Sequence, residues 1–137
     1  MIEFRPFDIN DALYLHGKAV DKLFNEYSEQ FIMDTESSDG LAYSVLVDGE
    51  IVAVAGIKRV REGLGEMWAV VSQDAPRSTK LFRALRQMLA ISAKHGGFSR
   101  LRSKSRKGFA QSQRFLEFFG FEQKRLFNDN YIYTKRC

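Results

Sequence analysis

The sequence predicts a mixed α/β fold, of the α+β kind, with a central mixed sheet and helices on both faces. Two β-rich runs, Leu41–Val47 and residues 50–60, meet at Asp48–Gly49, a dipeptide that accepts the positive φ angles of a two-residue hairpin turn. Residues 66–72 (EMWAVVS) add a third strand after the turn at 63–65, so the middle of the chain reads as an antiparallel meander. The pattern then switches to helical period, back to strand, to helix again, and ends in a hairpin. A meander followed by crossover helices needs a sheet that mixes antiparallel and parallel pairs.

From the start of the chain, Ile2–Pro6 alternates apolar and charged residues, as a half-buried strand does. Asp8 is placed to cap a first helix, whose apolar face is spelled by Ile9, Ala12, Leu13, Ala19, Val20, Leu23 and Phe24. Residues 31–34 read as a short turn or loop, closed by 37–40. After the meander, Ser78 can cap a helix whose buried face runs through Leu81, Phe82, Leu85, Met88, Leu89 and Ser92. His95, Gly96 and Gly97 supply its stop. A strand over 98–103 follows, then a helix over 109–119 closed by Gly120. Residues 121–127 and 131–135 flank Asn128, Asp129 and Asn130 as a terminal hairpin. The order is β-α-β-β-β-α-β-α-β-β, and residues 1–137 read as one unit without repeat or linker.

Composition excludes several classes. The 137 residues are 45% hydrophobic and 28% charged, which suits a packed core and gives no disordered tract. The one cysteine, Cys137, cannot form an internal disulfide, and no window approaches the length of a spanning helix. The first residues show no basic start with an apolar run. The expected setting is the bacterial or infected-host cytoplasm, or a virion, with no membrane. No His/Cys/Asp cluster has ligand spacing, so no metal site is expected. His16 reads as a surface or boundary residue of the first helix, and His95 as a cation at a helix C-terminus.

Charge is divided along the chain. Residues 1–76 carry 6 Lys/Arg against 14 Asp/Glu, while residues 77–137 carry 15 against 3. A basic half can steer an anionic partner, either a nucleotide cofactor or a nucleic acid, or it can complement the acidic half within the fold. The densest run is RLRSKSRK, residues 100–107, with Arg114 beyond it. It is open to two readings: phosphate contacts with nucleic acid, or a strand end and loop with solvated charges.

The element order and the closing segment RFLEFFGF, residues 114–121, resemble the GNAT superfamily of N-acyltransferases over nearly the whole chain. Within it, EMWAVVS, the basic helix after it and Arg114–Phe115–Leu116 ahead of a helix-ending Gly resemble the small GNAT-like internal virion protein A group of short-tailed phages. The resemblance implies acetyl-CoA as cofactor and an amine as acceptor. It implies that the cofactor arm lies against Val70, Val71 and Ser72, with its phosphates near Arg77, Ser78, Thr79, Lys80 and Arg83. The physical basis is the free N–H groups and positive dipole of a helix start. The family's phosphate-loop glycines are replaced: counted from Gln73, the two positions hold Pro76 and Ser78, and counted from Arg77 they hold Lys80 and Phe82. The alternative to a phosphate site is a capped helix with a solvated basic face.

Glu66 is the carboxylate on the strand where the family commonly keeps its proton acceptor, and so is the implied base. The family's acidic Tyr corresponds to Leu116, which has no proton to give; Tyr131 and Tyr133 on the last hairpin are the substitutes. Three functions follow. The first is an acetyl-CoA-dependent N-acyltransferase with a degenerate pyrophosphate loop. The second is a catalytically inactive GNAT-fold phage virion or assembly protein that works by protein binding. The third is a nucleic-acid-binding module.

Overall fold

The computed structural model describes residues 1–16, 27, 29–76 and 78–137, without the side chains of His16 and Glu29. Seven strands form one sheet. They are β1 (Ile2–Pro6), β2 (Leu41–Val47), β3 (Glu50–Arg61), β4 (Leu64–Val71), β5 (Arg100–Arg106), β6 (Glu122–Phe127) and β7 (Asn130–Arg136), in spatial order β1-β2-β3-β4-β5-β7-β6. Every neighbouring pair is antiparallel except β4 with β5, which is parallel and needs the crossover helix between them. The helices are α1 (Ile9–His16), α2 (Glu29–Ser37), α3 (Thr79–His95) and α4 (Ala110–Phe118).

Two apolar layers sandwich the sheet. On one face Leu81, Leu85, Leu89 and Ala93 of α3 and Leu116 of α4 pack on Ala53, Ile57, Met67, Ala69, Leu101 and Tyr133. On the other, Ala12 and Leu15 of α1, Ile32 of α2 and Tyr27 pack on Val54, Trp68 and Val70. Alternation along β4 decides this division: its odd positions face α3 and α4, and its even positions, Glu66 included, face α1 and α2.

The local signals act as their chemistry requires. The Asp8 carboxylate accepts the Asn10 N–H at 2.9 Å, and the Ser78 hydroxyl accepts the Leu81 N–H at 3.3 Å. Asp48 and Gly49 take φ of 52° and 84°, and Asn128 and Asp129 take 49° and 64°, so both hairpins use left-handed turn pairs. The expected continuation of the first helix through Ala19, Val20, Leu23 and Phe24 lies outside the described residues.

Three expectations are corrected. Residues 31–34 are helix, within α2, because Ile32 and Thr35 are buried and the Trp68 indole N–H donates to the Thr35 hydroxyl at 2.8 Å. Tertiary packing outweighs a polar segment with little apolar periodicity. The β4 strand starts at Leu64, two residues before the expected position. The strand expected over 98–103 runs instead over Arg100–Arg106: Phe98 ends α3, its N–H donating to the Ala93 carbonyl at 3.0 Å, and its ring is buried. Most of the basic run is therefore strand, not loop.

Candidate active site

Parallel pairing between β4 and β5 is brief. It covers Leu64 to Glu66 against Arg100 to Arg102, although β4 continues to Val71 and β5 to Arg106. Beyond Glu66 the strands part, and side chains take over the work of the ladder. The Ser103 hydroxyl donates to the Met67 carbonyl at 2.8 Å. The Tyr27 hydroxyl accepts the Lys104 N–H at 3.2 Å and lies 3.3 Å from Ser103 Oγ. The Tyr27 hydroxyl also hydrogen-bonds the Glu66 carboxylate, which can only accept its proton. Buried backbone groups left without partners are costly, which is why two hydroxyls sit where the strands separate.

The direction of the backbone in the gap follows from one bond. The Ser72 N–H donates to Val52 of β3 at 2.8 Å, so even positions of β4 turn their peptide groups to β3 and odd positions turn theirs to β5. Ala69 and Val71 thus present backbone N–H and C=O to the gap. Val70 turns its backbone to β3 and buries its side chain against α1 and α2, and the Ser72 hydroxyl accepts the Asp74 N–H at 3.0 Å in the turn leaving β4. Across the gap, Ser105 is buried on the α3/α4 face of β5, and its hydroxyl has no hydrogen-bond partner among the described residues.

Glu66 stands where pairing ends, 8% exposed, and Arg102 Nε donates to its Oε1 at 2.7 Å. The guanidinium offsets part of the cost of taking this side chain out of water. Burial foremost, and then the Glu66 charge, raise the Tyr27 phenol well above its ordinary value of 10.0, so it keeps its proton at neutral pH. The Lys104 ammonium lies 5.0 Å from the Tyr27 ring centre. A carboxylate, a proton-bearing phenol and two cations therefore converge on one opening between strands.

The two substitutes for the missing acid lie on the other face. Tyr131 is opposite Ser105 and Tyr133 opposite Ser103 in the β5–β7 register, both turned toward the α3/α4 layer while Glu66 faces α1 and α2. Tyr133 is fully buried, and its hydroxyl donates to Gln123 Oε1 at 3.1 Å; burial first, then the charge of Glu117, raises its phenol. Tyr131 is half-buried. The structure does not bring either beside Glu66.

At the start of α3, Thr79 and Lys80 open the helix behind the Ser78 cap, and Arg77 lies outside the described residues. The Asp74 and Ala75 N–H groups are used within the turn, and Pro76 has none, so the donors left for an anion come from the first helical turn. Lys80 and Arg83 line an open groove with Ile2 and Phe4 of β1. The α4 side of the helix start carries Phe82 instead, 6.3 Å from the Phe115 ring and 6.1 Å from the Phe118 ring. Leu116 is fully buried in the α3/α4 core. Tyr27, Ala69, Ser103 and Ser105 escaped the sequence reading, which took Arg102 as part of the basic run and not as the partner of Glu66. The alternation of Arg102, Lys104 and Arg106 with Leu101, Ser103 and Ser105 was a usable sign that this basic run is a strand with two distinct faces.

Compared with protein-family models and with curated proteins, the chain matches none. Solved structures match its fold closely. The GNAT domain of S. lividans PAT superposes with a TM-score of 0.76 at 17% identity, covering 99% of this chain and 90% of that one. The PaiA N-acetyltransferase from Thermoplasma acidophilum, in complex with coenzyme A, gives 0.77 at 16% identity over 100% and 99%. The ribosomal-protein-S18-alanine N-acetyltransferase from Escherichia coli gives 0.75 at 18% identity over 99% and 94%. The fold is that of the GNAT acetyltransferases.

Proposed function

We propose that this chain is an N-acyltransferase that uses acetyl-CoA and passes the acyl group to an amine across the gap between β4 and β5. The observation that carries the reading is the parting of two parallel strands just past Glu66 and Arg102, with backbone groups of Ala69 and Val71 turned into the opening. An extended amide-bearing arm fits such an opening as a strand would, and the Ser105 hydroxyl beside it, without a partner among the described residues, is a ready partner for an amide. The similar fold of PaiA holds coenzyme A, which supports this choice of cofactor. Acetyl-CoA supplies the acyl group in activated form, as a thioester.

The chain's own residues divide the remaining work. Glu66, held in place by Arg102, takes the proton of the attacking amine on the α1/α2 face. Tyr27 holds a proton inside the gap, on the path between the two faces, and is the phenol placed to protonate a leaving thiolate. Thr79 and Lys80 offer first-turn N–H groups and the helix dipole to phosphates, and Ser78 shapes that start. Val70 and Ser72 support the gap from behind rather than lining it.

A second reading is a GNAT-fold protein without turnover, acting by protein binding in a phage virion or its assembly. It is supported by the loop: Pro76 without a donor, two N–H groups spent in a turn, and an aromatic cluster around Phe82 where glycine usually allows close approach. Calorimetric titration with acetyl-CoA separates the two. The acyltransferase reading expects binding that Thr79→Glu weakens at least about tenfold, because an acidic first turn favours the helix but repels phosphate. Absence of heat at high protein concentration overturns it and leaves the binding role.

A further inference from the structure

The sheet is bare in one place. Ala55 of β3 lies directly opposite Ala69 of β4, and Tyr43 of β2 lies opposite Ala55 on its other side, all facing the α3/α4 layer. One pair along, Ile57 opposes Met67 and both side chains are buried. Ala55 differs: it sits mid-strand in the third of seven strands and is only half-buried. Its methyl group does not reach the helices above. A cavity of about 20 Å³ remains, with Ala53, Ala55 and Ala69 below it and Leu85, Leu89 and Phe119 above.

Two properties of this cavity point to a ligand. It is apolar: among the described side chains that line it, only Tyr43 carries a hydroxyl, so a water there lacks the polar partners it needs. It also borders the opening. Met67, Ala69 and Val71 line it with their side chains, and Ala69 and Val71 turn their backbone groups into the gap between β4 and β5. Protein interiors are otherwise close-packed, so an unfilled apolar space beside a binding gap is room for part of what binds there.

The occupant follows from where the atoms of a thioester bound in the gap would lie. Its carbonyl carbon is held in the plane of the sheet, between the strands. The methyl of an acetyl group, about 1.5 Å further on, is still at the level of the backbone. Only the carbons after it enter the side-chain layer, where about 20 Å³ takes one water-sized group and not a long chain. We infer that this cavity is an acyl-chain pocket, and that the protein prefers a propionyl or butyryl thioester to the acetyl one. This rests on the acyltransferase reading and names its substrate class. With the acyl tail on the α3/α4 face, the α1/α2 face of the carbonyl stays free for the amine. The amine nitrogen bonds to the acyl carbon, and the C–S bond breaks with its electron pair going to sulfur. Glu66 takes the amine proton, while Tyr27 gives its own to the thiolate and is restored from Glu66, to which it is hydrogen-bonded.

The test is calorimetric titration of the whole chain with free CoA and with its acetyl, propionyl, butyryl and hexanoyl thioesters. Affinity should rise about fourfold for each methylene that enters the cavity, so that propionyl- or butyryl-CoA binds tightest. It should fall again at hexanoyl-CoA, which overfills the space. Ala55→Val fills the cavity from the side away from the gap; it should remove the rise and leave acetyl-CoA affinity unchanged. Urea denaturation of that variant checks that it folds, and the wild-type series decides without it. Three results overturn the inference and leave the acyltransferase reading standing: acetyl-CoA binding as tightly as the propionyl and butyryl thioesters, a rise that continues through hexanoyl-CoA, or a rise that survives Ala55→Val. No heat with free CoA or any thioester overturns that reading, and this inference with it.

Discussion

Glu66 and Tyr27 share one opening but are tied to the protein differently, and their replacements should separate chemistry from architecture. Glu66→Gln keeps the shape and a hydrogen-bond acceptor for Arg102 while removing the basic oxygen. Thiol release from acetyl-CoA with an acceptor amine should fall by about 10²–10⁴-fold, with acetyl-CoA affinity by calorimetry unchanged. Tyr27→Phe removes the acceptor of the Lys104 N–H and the hydrogen bond to the Glu66 carboxylate. Leaving those buried groups unpaired costs roughly 1–3 kcal/mol, read in urea denaturation, besides any loss of turnover. Glu66 was legible because it is the one carboxylate on its strand. Tyr27 was not, since it stands apart from every motif and meets β5 only through a separation of 76 residues in sequence.

Among the elements, the meander and α3 were legible because their signals are local: turn dipeptides, alternation and a capped amphipathic period. The α2 helix was hidden because its stability comes from Trp68 and Thr35 meeting across the core. Gly56 shows how tightly that contact is set. A Cβ there would lie 2.6 Å from the Trp68 ring and 2.8 Å from the Leu41 carbonyl. Gly56→Ala should therefore push the indole from Thr35, destabilise by about 1–3 kcal/mol and shift the emission of the only tryptophan, checked by denaturation followed by fluorescence. At α3, Ser78→Ala removes a side-chain acceptor from the Leu81 N–H and should cost about 0.5–2 kcal/mol in the same measurement.

For the whole molecule, buried phenols set the alkaline limit. Tyr27 and Tyr43 are both raised above the ordinary value of 10.0, with burial the largest cause, so the folded chain holds these protons more tightly than the unfolded one. That contribution to stability is full below the ordinary value and is lost as pH rises beyond it toward the folded values. Urea midpoints should drop as pH rises above about 10, and the double variant Tyr27→Phe with Tyr43→Phe should flatten that slope. The charge division along the chain also takes spatial form. Part of the basic half becomes a face of the sheet, and part lines α3 on the opposite side.

The sequence by itself determined the order of elements apart from α2, the two hairpin turns, the capped α3 and Glu66 as the carboxylate of its strand. These depend on interactions within a few residues, which leave a periodic or positional trace. Only the tertiary structure decided where β4 and β5 part, which strand each peptide group faces, and that Tyr27, Arg102 and Ser103 gather there while Tyr131 and Tyr133 lie across the sheet. The physical reason is that register and facing are collective: a shift of one residue along a strand exchanges its two faces, and only packing against the rest of the sheet fixes which one is buried.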